Sequence, residues 1–328
     1  MDNTFVIITS IYPPTKAVFE FSKLEGMQTI VVGDKKTSRD WFCEKIDFLS
    51  TSEQLNLFPQ FAGQVPYNHY SRKMLGYLYA IKRGANYIID SDDDNIPQDN
   101  FSFPAVQGDF DVVSSEVGYY NVYSYFTDQR IWPRGFPLQL INNEKTKVRQ
   151  GNSHKTEALK VGIWQALADG DPDVDAIYRL TDNTPCIFYK KSPIVLDFGT
   201  ICPINSQCTA FSKEVFPLLY LPCTVSFRFT DILRGIVAQP ILWANGLHVG
   251  FTSSLVFQER NIHDYMKDFD DEVIMYREVE KVTQIIKGIV STSCSIKDNL
   301  YNVYQALAKH GIVQENEVKI LTSWLTFF

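Results

Sequence analysis

The sequence predicts an α/β protein with a Rossmann-like, mostly parallel sheet, flanking helices and a helical C-terminal extension. Two observations carry this prediction. Short apolar runs alternate with amphipathic segments over the first 95 residues, and a helical spacing of apolar residues returns after Asp264. Strands that alternate with helices become parallel neighbours, because each crossover helix returns the chain to the end of the sheet where the previous strand began.

Three apolar runs are predicted to form buried strands, at residues 5–8, 29–32 and 87–89. Polar residues follow each of them: Thr9 and Ser10 after the first, Gly33 and Asp34 after the second, and Asp90 after the third. A helical stripe closed by Gly84 precedes the third strand. Because open sheets of this class bind ligands beyond the carboxyl ends of parallel strands, these polar residues are candidate site residues.

The rest of the chain divides into two kinds of pattern. Residues 96–225 interleave proline, glycine and aromatic residues, which predicts loops and mixed strands that shape a pocket. We therefore predict a catalytic domain over residues 1–265, with a nucleotide-binding half at 1–95 and an acceptor or sugar half at 96–265. A helical extension is predicted at residues 266–328.

Composition narrows the classes of function. The 328 residues include 31 basic and 38 acidic side chains, a net charge of −7, so no general attraction to nucleic acid or to an anionic membrane is expected. Six cysteines occur without C-x-x-C spacing, which argues against zinc and fits thiols in a reducing compartment. With no long apolar run and no basic leader, we expect a soluble, cytoplasmic chain with neither a signal peptide nor a transmembrane segment.

The most informative stretch is the acidic run after the third strand. Asp90, Asp92, Asp93 and Asp94 fall within five positions, and their carboxylates repel one another unless a cation or a set of amides compensates them. Carboxylate oxygens suit Mg²⁺ or Mn²⁺. The alternative is a solvated acidic turn, which the position directly after a buried strand disfavours.

A D-x-D pattern in this position resembles the metal–nucleotide motif of GT-A glycosyltransferases. The wider string, RKMLGYLYAIKRGA from Arg72 and DSDDDN from Asp90, is similar to the STELLO-type putative glycosyltransferases. The stretches RGFPL at 134–138, GIW at 162–164 with PDVDA at 172–176, and FRFTDILRG at 227–235 extend the resemblance, which reaches about residue 276. The first two stretches also resemble the reversibly glycosylated polypeptides, which are UDP-arabinopyranose mutases.

The resemblance implies roles at the acidic run. Asp92 is expected to contact the nucleotide ribose or the metal shell, and Asp94 to coordinate the Mn²⁺ or Mg²⁺ that bridges the donor diphosphate. Asp93 is expected to face the backbone. His263 is the position expected to return to the metal, with Arg260 on the diphosphate; a surface helix cap is the alternative for both.

Further positions are expected around the nucleotide. Thr9, Ser10, Gly33 and Asp34 fit a rim for base and ribose, or else are plain loop residues. Lys73, before the third strand, either approaches the nucleotide or is an ordinary solvated lysine.

Asp231 is the candidate general base. Asp231 and Arg234 are three residues apart and share a face if the segment is helical. In inverting GT-A enzymes an acidic residue in this part of the chain deprotonates the acceptor hydroxyl. The alternative is an N-cap aspartate with an arginine partner three residues on.

Arg134 matches the arginine that carries the sugar in the reversibly glycosylated polypeptides, but the acidic tail of their motif is absent here. Arg134 is therefore expected to contact donor phosphate or acceptor, while Asp173 and Asp175 either bond sugar hydroxyls or form a turn.

These expectations together predict a metal-dependent glycosyltransferase. It would move a sugar from a nucleoside diphosphate, with UDP favoured, to a glycan or other hydroxyl acceptor, and the absence of an obvious second nucleophile favours inversion. One alternative is a UDP-sugar mutase or self-glycosylating protein. An alternative of another class is a non-catalytic scaffold of a polysaccharide-synthesising complex.

Overall fold

A computed structural model describes residues 3–147, 155–259 and 264–328. In these ranges ten strands form one mixed sheet: β1 Thr4–Thr9, β2 Met27–Val32, β3 Ile46–Leu49, β4 Tyr87–Ser91, β5 Asn95–Pro97, β6 Gln107–Val113, β7 Lys155–Gly170, β8 Ile194–Leu196, β9 Cys208–Ser212 and β10 His248–Gln258. The α-helices of the same ranges are α1 Lys16–Phe21, α2 Thr51–Leu57, α3 Pro59–Ala62, α4 Lys73–Lys82, α5 Tyr123–Phe126, α6 Ala176–Thr181, α7 Thr230–Ala244, α8 Tyr265–Ile289, α9 Ile296–Lys309 and α10 Glu315–Leu325. Short 3₁₀ helices occur at Tyr70–Arg72, Leu138–Leu140, Glu144–Thr146, Lys213–Leu219 and Phe227–Phe229.

The parallel pairings are concentrated at one end of the sheet. Its strand order is β3-β2-β1-β4-β9-β7-β6-β8-β10-β5, and the first four strands run parallel to one another. Ile7 of β1 lies opposite Ile30 of β2 and Asp90 of β4. The carboxyl ends of β1, β2 and β4 therefore meet at one edge. Strand β9 joins β4 antiparallel, and the far end of the sheet mixes both directions.

Hydrophobic cores cover both faces of this sheet. Successive residues of β1 point to opposite faces: Phe5 and Ile7 join a large core with α4, α7 and the C-terminal helices, whereas Val6 and Ile8 join a smaller core with Phe21 of α1. Burial on both faces is why β1 reads as a continuous apolar run. The predicted α/β class is confirmed.

Helix α4 packs unusually close to the sheet at Gly76. A Cβ atom at Gly76 would lie 2.5 Å from Val32 and 2.6 Å from Ile7, so only glycine fits this contact. Gly84, with φ +82°, follows the last turn of the helix in the left-handed conformation typical of a helix end. The close approach sets the first residue of α4, Lys73, beside the carboxyl end of β4.

The predicted helical extension is present as α8, α9 and α10. Leu300, Val303 and Leu321 are buried in the large core, and the Trp324 indole donates a 2.9 Å hydrogen bond to the Pro217 carbonyl. None of the helices in the described part of the chain combines the length and apolarity that a bilayer crossing requires. The predicted division into two halves and an extension stays a prediction.

Of the ten strands in the described ranges, the sequence placed only β1, β2 and β4; the other seven were not located individually. Strand β3 is only four residues long, and its burial pattern is mostly intermediate, so its sequence carries a weak strand signal. Strand β7, in the irregular middle, runs 16 residues and pairs with three other strands.

Candidate active site

A cavity of about 420 Å³ opens where β1, β2 and β4 end. It collects most of the residues that the sequence singled out: Thr9, Ser10, Gly33, Asp34, Asp92, Asp93, Asp94, Arg134, Asp173 and Asp231. Lys73 lies behind the wall of this cavity. Arg260 and His263 lie outside the described residues, so their expected roles remain predictions.

The side chain of Asp92 is held at one oxygen. Its Oδ1 accepts hydrogen bonds from the Tyr70 hydroxyl at 2.5 Å and from Lys73 Nζ at 3.0 Å, and 27% of the side chain is exposed. Oδ2 accepts none from the described residues. Burial raises the pKa of Asp92 to about 6; Lys73 opposes this rise, and the carboxylates of Asp94 and Asp90 add to it.

The side chains of Asp93 and Asp94 are held by other parts of the chain than the side chain of Asp92. Asp93 accepts a hydrogen bond from the Ser10 hydroxyl, and its backbone carbonyl accepts one from Thr15. Burial raises the pKa of Asp93 to about 6, against the lowering effect of the Ser10 bond. Asp94 Oδ2 accepts a 3.0 Å bond from the Gln258 amide of β10. The turn therefore presents three carboxylates to the cavity, each held from a different element.

Lys73 is not a solvated lysine. Its side chain is fully buried, and its Nζ lies 2.6 Å from Asp90 Oδ1 and 3.0 Å from Asp92 Oδ1. Burial lowers its pKa, but the two carboxylates outweigh this and raise it above its ordinary value. Lys73 thus supports the acidic turn from behind, rather than reaching into the cavity.

The predicted rim for base and ribose is a set of tied loops. Asp34 uses one carboxylate oxygen to accept from its neighbour Lys35 N and the other to accept from Asn68 N at 2.7 Å. Gly33 allows close packing, because a Cβ there would lie 2.7 Å from the Phe48 ring. Asp34 therefore lines the cavity and, through its bond to Asn68, also ties two loops of the rim together.

The opposite side of the cavity is built on Arg134. Its guanidinium holds Asp173 through two bonds of 2.8 Å, donates to Asp231 at 3.0 Å and donates to the Arg228 carbonyl. Arg134 is 5% exposed and Asp231 is 6% exposed. Asp173 and Asp231 thus share one cation, which leaves these three side chains with a net negative charge.

The expected pairing within α7 does not form. Asp231 lies in the first turn, Phe229 occupies the N-cap position, and Arg234 turns away to Asp90 at 2.7 Å. The N-cap alternative for Asp231 is therefore wrong. Helix α7 is buried over nearly its whole length, so its polar side chains pair with other elements rather than along one exposed face.

Comparisons with known proteins support the family resemblance that the sequence motifs indicated. A family model described as STELLO glycosyltransferases matches residues 228–327. Two curated proteins of Arabidopsis thaliana, "Probable glycosyltransferase STELLO2" and "Probable glycosyltransferase STELLO1", are each 28% identical over 98% of this chain. The resemblance to the STELLO glycosyltransferases is confirmed. The chain spans 44% of the length of each of these relatives.

One solved structure shows a more remote likeness. Glucosyl-3-phosphoglycerate synthase from Mycobacterium tuberculosis, in complex with Mn²⁺, uridine diphosphate and glucosyl-3-phosphoglycerate, has a TM-score of 0.41 at 13% identity. The match covers 88% of this chain and 81% of that chain. A likeness of this size supports no inference about the present site.

Two cavity-lining residues, one just before and one at the start of the segment matched by the STELLO family model, were left without a role by sequence reasoning. Arg228 lines the cavity and forms an ion pair of 2.7 Å with Glu272 of α8, a fully buried carboxylate. Phe227 also lines the cavity, is 53% exposed and packs edge-to-face on Tyr70 at 5.5 Å. Both precede Asp231 in the FRFTDILRG stretch, which was the available signal.

The donor set of the acidic turn fits a divalent cation. Its oxygens are carboxylates, and Asp92, Asp93 and Asp94 all line the cavity, so three negative charges lie close together there. In the described ranges no three His, Cys, Asp or Glu side chains converge as a ready-made metal cluster. Mg²⁺ commonly binds through one or two carboxylates together with substrate phosphates, so a cation in this turn would need oxygens from a ligand such as a diphosphate.

Proposed function

We propose that this chain is a metal-dependent glycosyltransferase that moves a sugar from a UDP-sugar to a hydroxyl group of a glycan, with inversion. One observation carries the proposal: a single cavity joins the acidic turn after β4 to Asp231 at the start of α7. The first supplies a place for a nucleoside diphosphate and its cation, and the second supplies a base. The STELLO relatives, named as probable glycosyltransferases, support the same activity.

The acidic turn would hold the donor. Asp92 and Asp94 would hold the Mn²⁺ or Mg²⁺, which when bound neutralises charge that develops on the leaving diphosphate. Thr9, Ser10 and Gly33 would frame the nucleoside. Because the diphosphate and the carboxylates carry the same sign of charge, the donor needs the cation to occupy this end of the cavity.

Asp231 would act on the acceptor. The acceptor oxygen attacks the anomeric carbon, the bond from that carbon to the phosphate oxygen breaks with its electron pair on the diphosphate, and the hydroxyl proton passes to the Asp231 carboxylate. A single displacement of this kind inverts the configuration at the anomeric carbon. Arg134 and the Ser206 amide hold the carboxylate in place.

The contacts of Arg134 disfavour the mutase alternative. A self-glycosylating arginine must present a nitrogen to the sugar, but each terminal nitrogen of Arg134, and its Nε, already donates to an oxygen of Asp173, Asp231 or Arg228. A sugar on Nε, or on the terminal nitrogen that contacts both aspartates, would displace a buried, charge-assisted bond; the nitrogen bonded to the Arg228 carbonyl has one further N–H. The scaffold alternative needs no cation site, so metal-dependent nucleotide binding separates it from an enzyme.

The test is a donor screen on the purified chain. UDP-, GDP- and CMP-sugars are each added with Mn²⁺ or with EDTA, and thermal shift and donor hydrolysis are read together. We expect a rise in melting temperature and slow donor hydrolysis only when a UDP-sugar and Mn²⁺ are both present. Both effects should be lost in Asp94→Asn. Nucleotide binding that is equal in Mn²⁺ and EDTA would contradict the metal-bridged donor, and binding without hydrolysis or transfer to any glycan would favour the scaffold. The cytoplasmic location stays a prediction.

A further inference from the structure

Asp90 opens the acidic run, yet it lies behind the cavity wall rather than on it. Its carboxylate is fully buried and faces two cations, with Lys73 Nζ 2.6 Å from Oδ1 and an Arg234 terminal nitrogen 2.7 Å from Oδ2. Burial raises the pKa of Asp90, but the two cations outweigh this and lower it below its ordinary value. The Asp90 carboxylate therefore lies between two cationic side chains.

One branch from Asp90 leads to the donor side. Lys73 Nζ also lies 3.0 Å from Asp92 Oδ1 and 2.9 Å from the Tyr70 hydroxyl, and it donates to the Ser91 carbonyl. Tyr70 donates to the same Asp92 oxygen. Lys73 consequently fixes both the backbone and the side chain at the start of the acidic turn.

The other branch leads to the acceptor side. One terminal nitrogen of Arg234 contacts Asp90, and the other donates to the Ser206 hydroxyl at 2.8 Å. The backbone N–H of Ser206 donates to Asp231 Oδ2 at 3.2 Å. The planar fork of arginine can hold Asp90 and Ser206 at once, which a single ammonium group cannot do in the same geometry.

We propose that Asp90 and Arg234 are positioning residues that hold the cation-binding side chain of Asp92 and the acceptor-side carboxylate of Asp231 in a fixed relation. The inference rests on the proposed function and adds residues that touch neither substrate. The connected residues, in order, are Asp92, Lys73, Asp90, Arg234, Ser206 and Asp231, with Ser206 linked to Asp231 through its backbone N–H.

The energetics favour this interpretation over a purely stabilising one. Two cations and an anion taken out of water are costly, and apolar residues of similar size often stabilise a core as well or better. Their specific benefit is directional, because each contact fixes β4 against α4 or α7. A misplacement of about 1 Å between reacting groups can cost about 10²-fold in rate, so the relation between Asp92 and Asp231 is worth fixing.

Arg234→Lys tests the proposal. It keeps a positive charge beside Asp90 but removes the second arm to Ser206. We expect Mn²⁺-dependent UDP affinity within about threefold of wild type, kcat for transfer lower by about tenfold or more, and an unchanged donor KM. Amide hydrogen exchange of residues 205–207 should accelerate by about tenfold, while β1 and β2 exchange as in wild type. The matched control is Arg83→Lys at the partly exposed ion pair with Asp47, where nothing should change.

A second variant guards against misfolding. Ser206→Ala removes only the hydroxyl that Arg234 contacts and leaves the backbone N–H in place, so we expect a smaller loss of kcat with UDP binding retained. Wild-type turnover in both variants overturns the proposal, as does a parallel loss of UDP affinity, turnover and melting temperature. If wild type itself shows no metal-dependent nucleotide binding, the proposed function fails. Exchange at 205–207 still decides the network, because unchanged exchange in Arg234→Lys refutes it.

Discussion

Asp231→Asn separates chemistry from binding. The substitution preserves shape and removes the charge that would take the acceptor proton. In the structure the carboxylate accepts bonds from Arg134, the Ser206 amide and the Ile232 amide, and its side chain is 8% exposed. Asparagine keeps one accepting oxygen, and Arg134 retains both bonds to Asp173. We therefore expect a stability loss of about 1–3 kcal/mol, the range for a weakened buried bond to a charged group, and a folded variant.

The expected catalytic loss is far larger than the structural one. Removing a general base lowers transfer by about 10²–10⁴-fold, whereas Mn²⁺-dependent UDP affinity should stay near wild type because the donor is held by the acidic turn. Transfer to an acceptor and slow donor hydrolysis are measured beside UDP calorimetry. Retained transfer would refute the role of Asp231, and Asp173 would be the next candidate because it lines the same cavity. Asp175 is excluded from that search, since it is fully buried against Trp132.

Three further outcomes follow from the same contacts. Asp94→Asn should weaken Mn²⁺-dependent UDP binding by about tenfold or more in calorimetry, and Asp93→Asn much less, because Asp93 is held by Ser10; equal effects would contradict the assignment. Protons and metal compete for Asp92, whose pKa is raised to about 6, so Mn²⁺-dependent binding of a UDP-sugar should be nearly flat above about pH 7 and fall by about tenfold between pH 7 and pH 5; a flat profile from pH 7.5 to 5 would contradict this. Glu317→Ala strips a buried acceptor from the Cys223 and Thr224 amides and should cost about 3 kcal/mol in chemical denaturation, whereas the exposed Glu315→Ala should cost little; equal costs would refute the argument.

The sequence was most informative where local pattern decides structure. Apolar runs buried on both faces identified β1, β2 and β4, and parallel strands end at a common edge, so Thr9, Asp34 and Asp90 were predicted to lie together. Thr9 and Asp34 line the cavity, whereas Asp90 is buried behind its wall. Gly84 marked the end of α4 for an equally local reason, its positive φ. The pattern of residues along the chain thus predicts that a cavity lies at that edge of the sheet.

The ion-pair partners of the buried charged residues could not be predicted from local sequence pattern. The spacing suggested that Asp231 pairs with Arg234. Helix α7 is surrounded by protein, however, and each of these side chains forms its ion pair with a residue of another element. Arg234 met Asp90, 144 positions away, and Asp231 met Arg134, 97 positions away. Spacing along a helix predicts pairs only on an exposed face, where water allows either partner to remain unpaired. The burial of Lys73 was not predicted for the same reason. It depends on how closely Gly76 allows α4 to pack against the sheet.

The C-terminal helices hold the part of the cavity wall that contains Phe227 and Arg228. Phe227 and Arg228 lie on a segment held at both ends by buried glutamates of the extension. Glu272 of α8 pairs with Arg228, and Glu317 of α10 accepts from the amides of Cys223 and Thr224. Either glutamate left unpaired would be a buried charge, so the helices and the segment stabilise each other. The STELLO family match runs from residue 228 to residue 327, so it includes Arg228 and both of the glutamates that hold its segment in place.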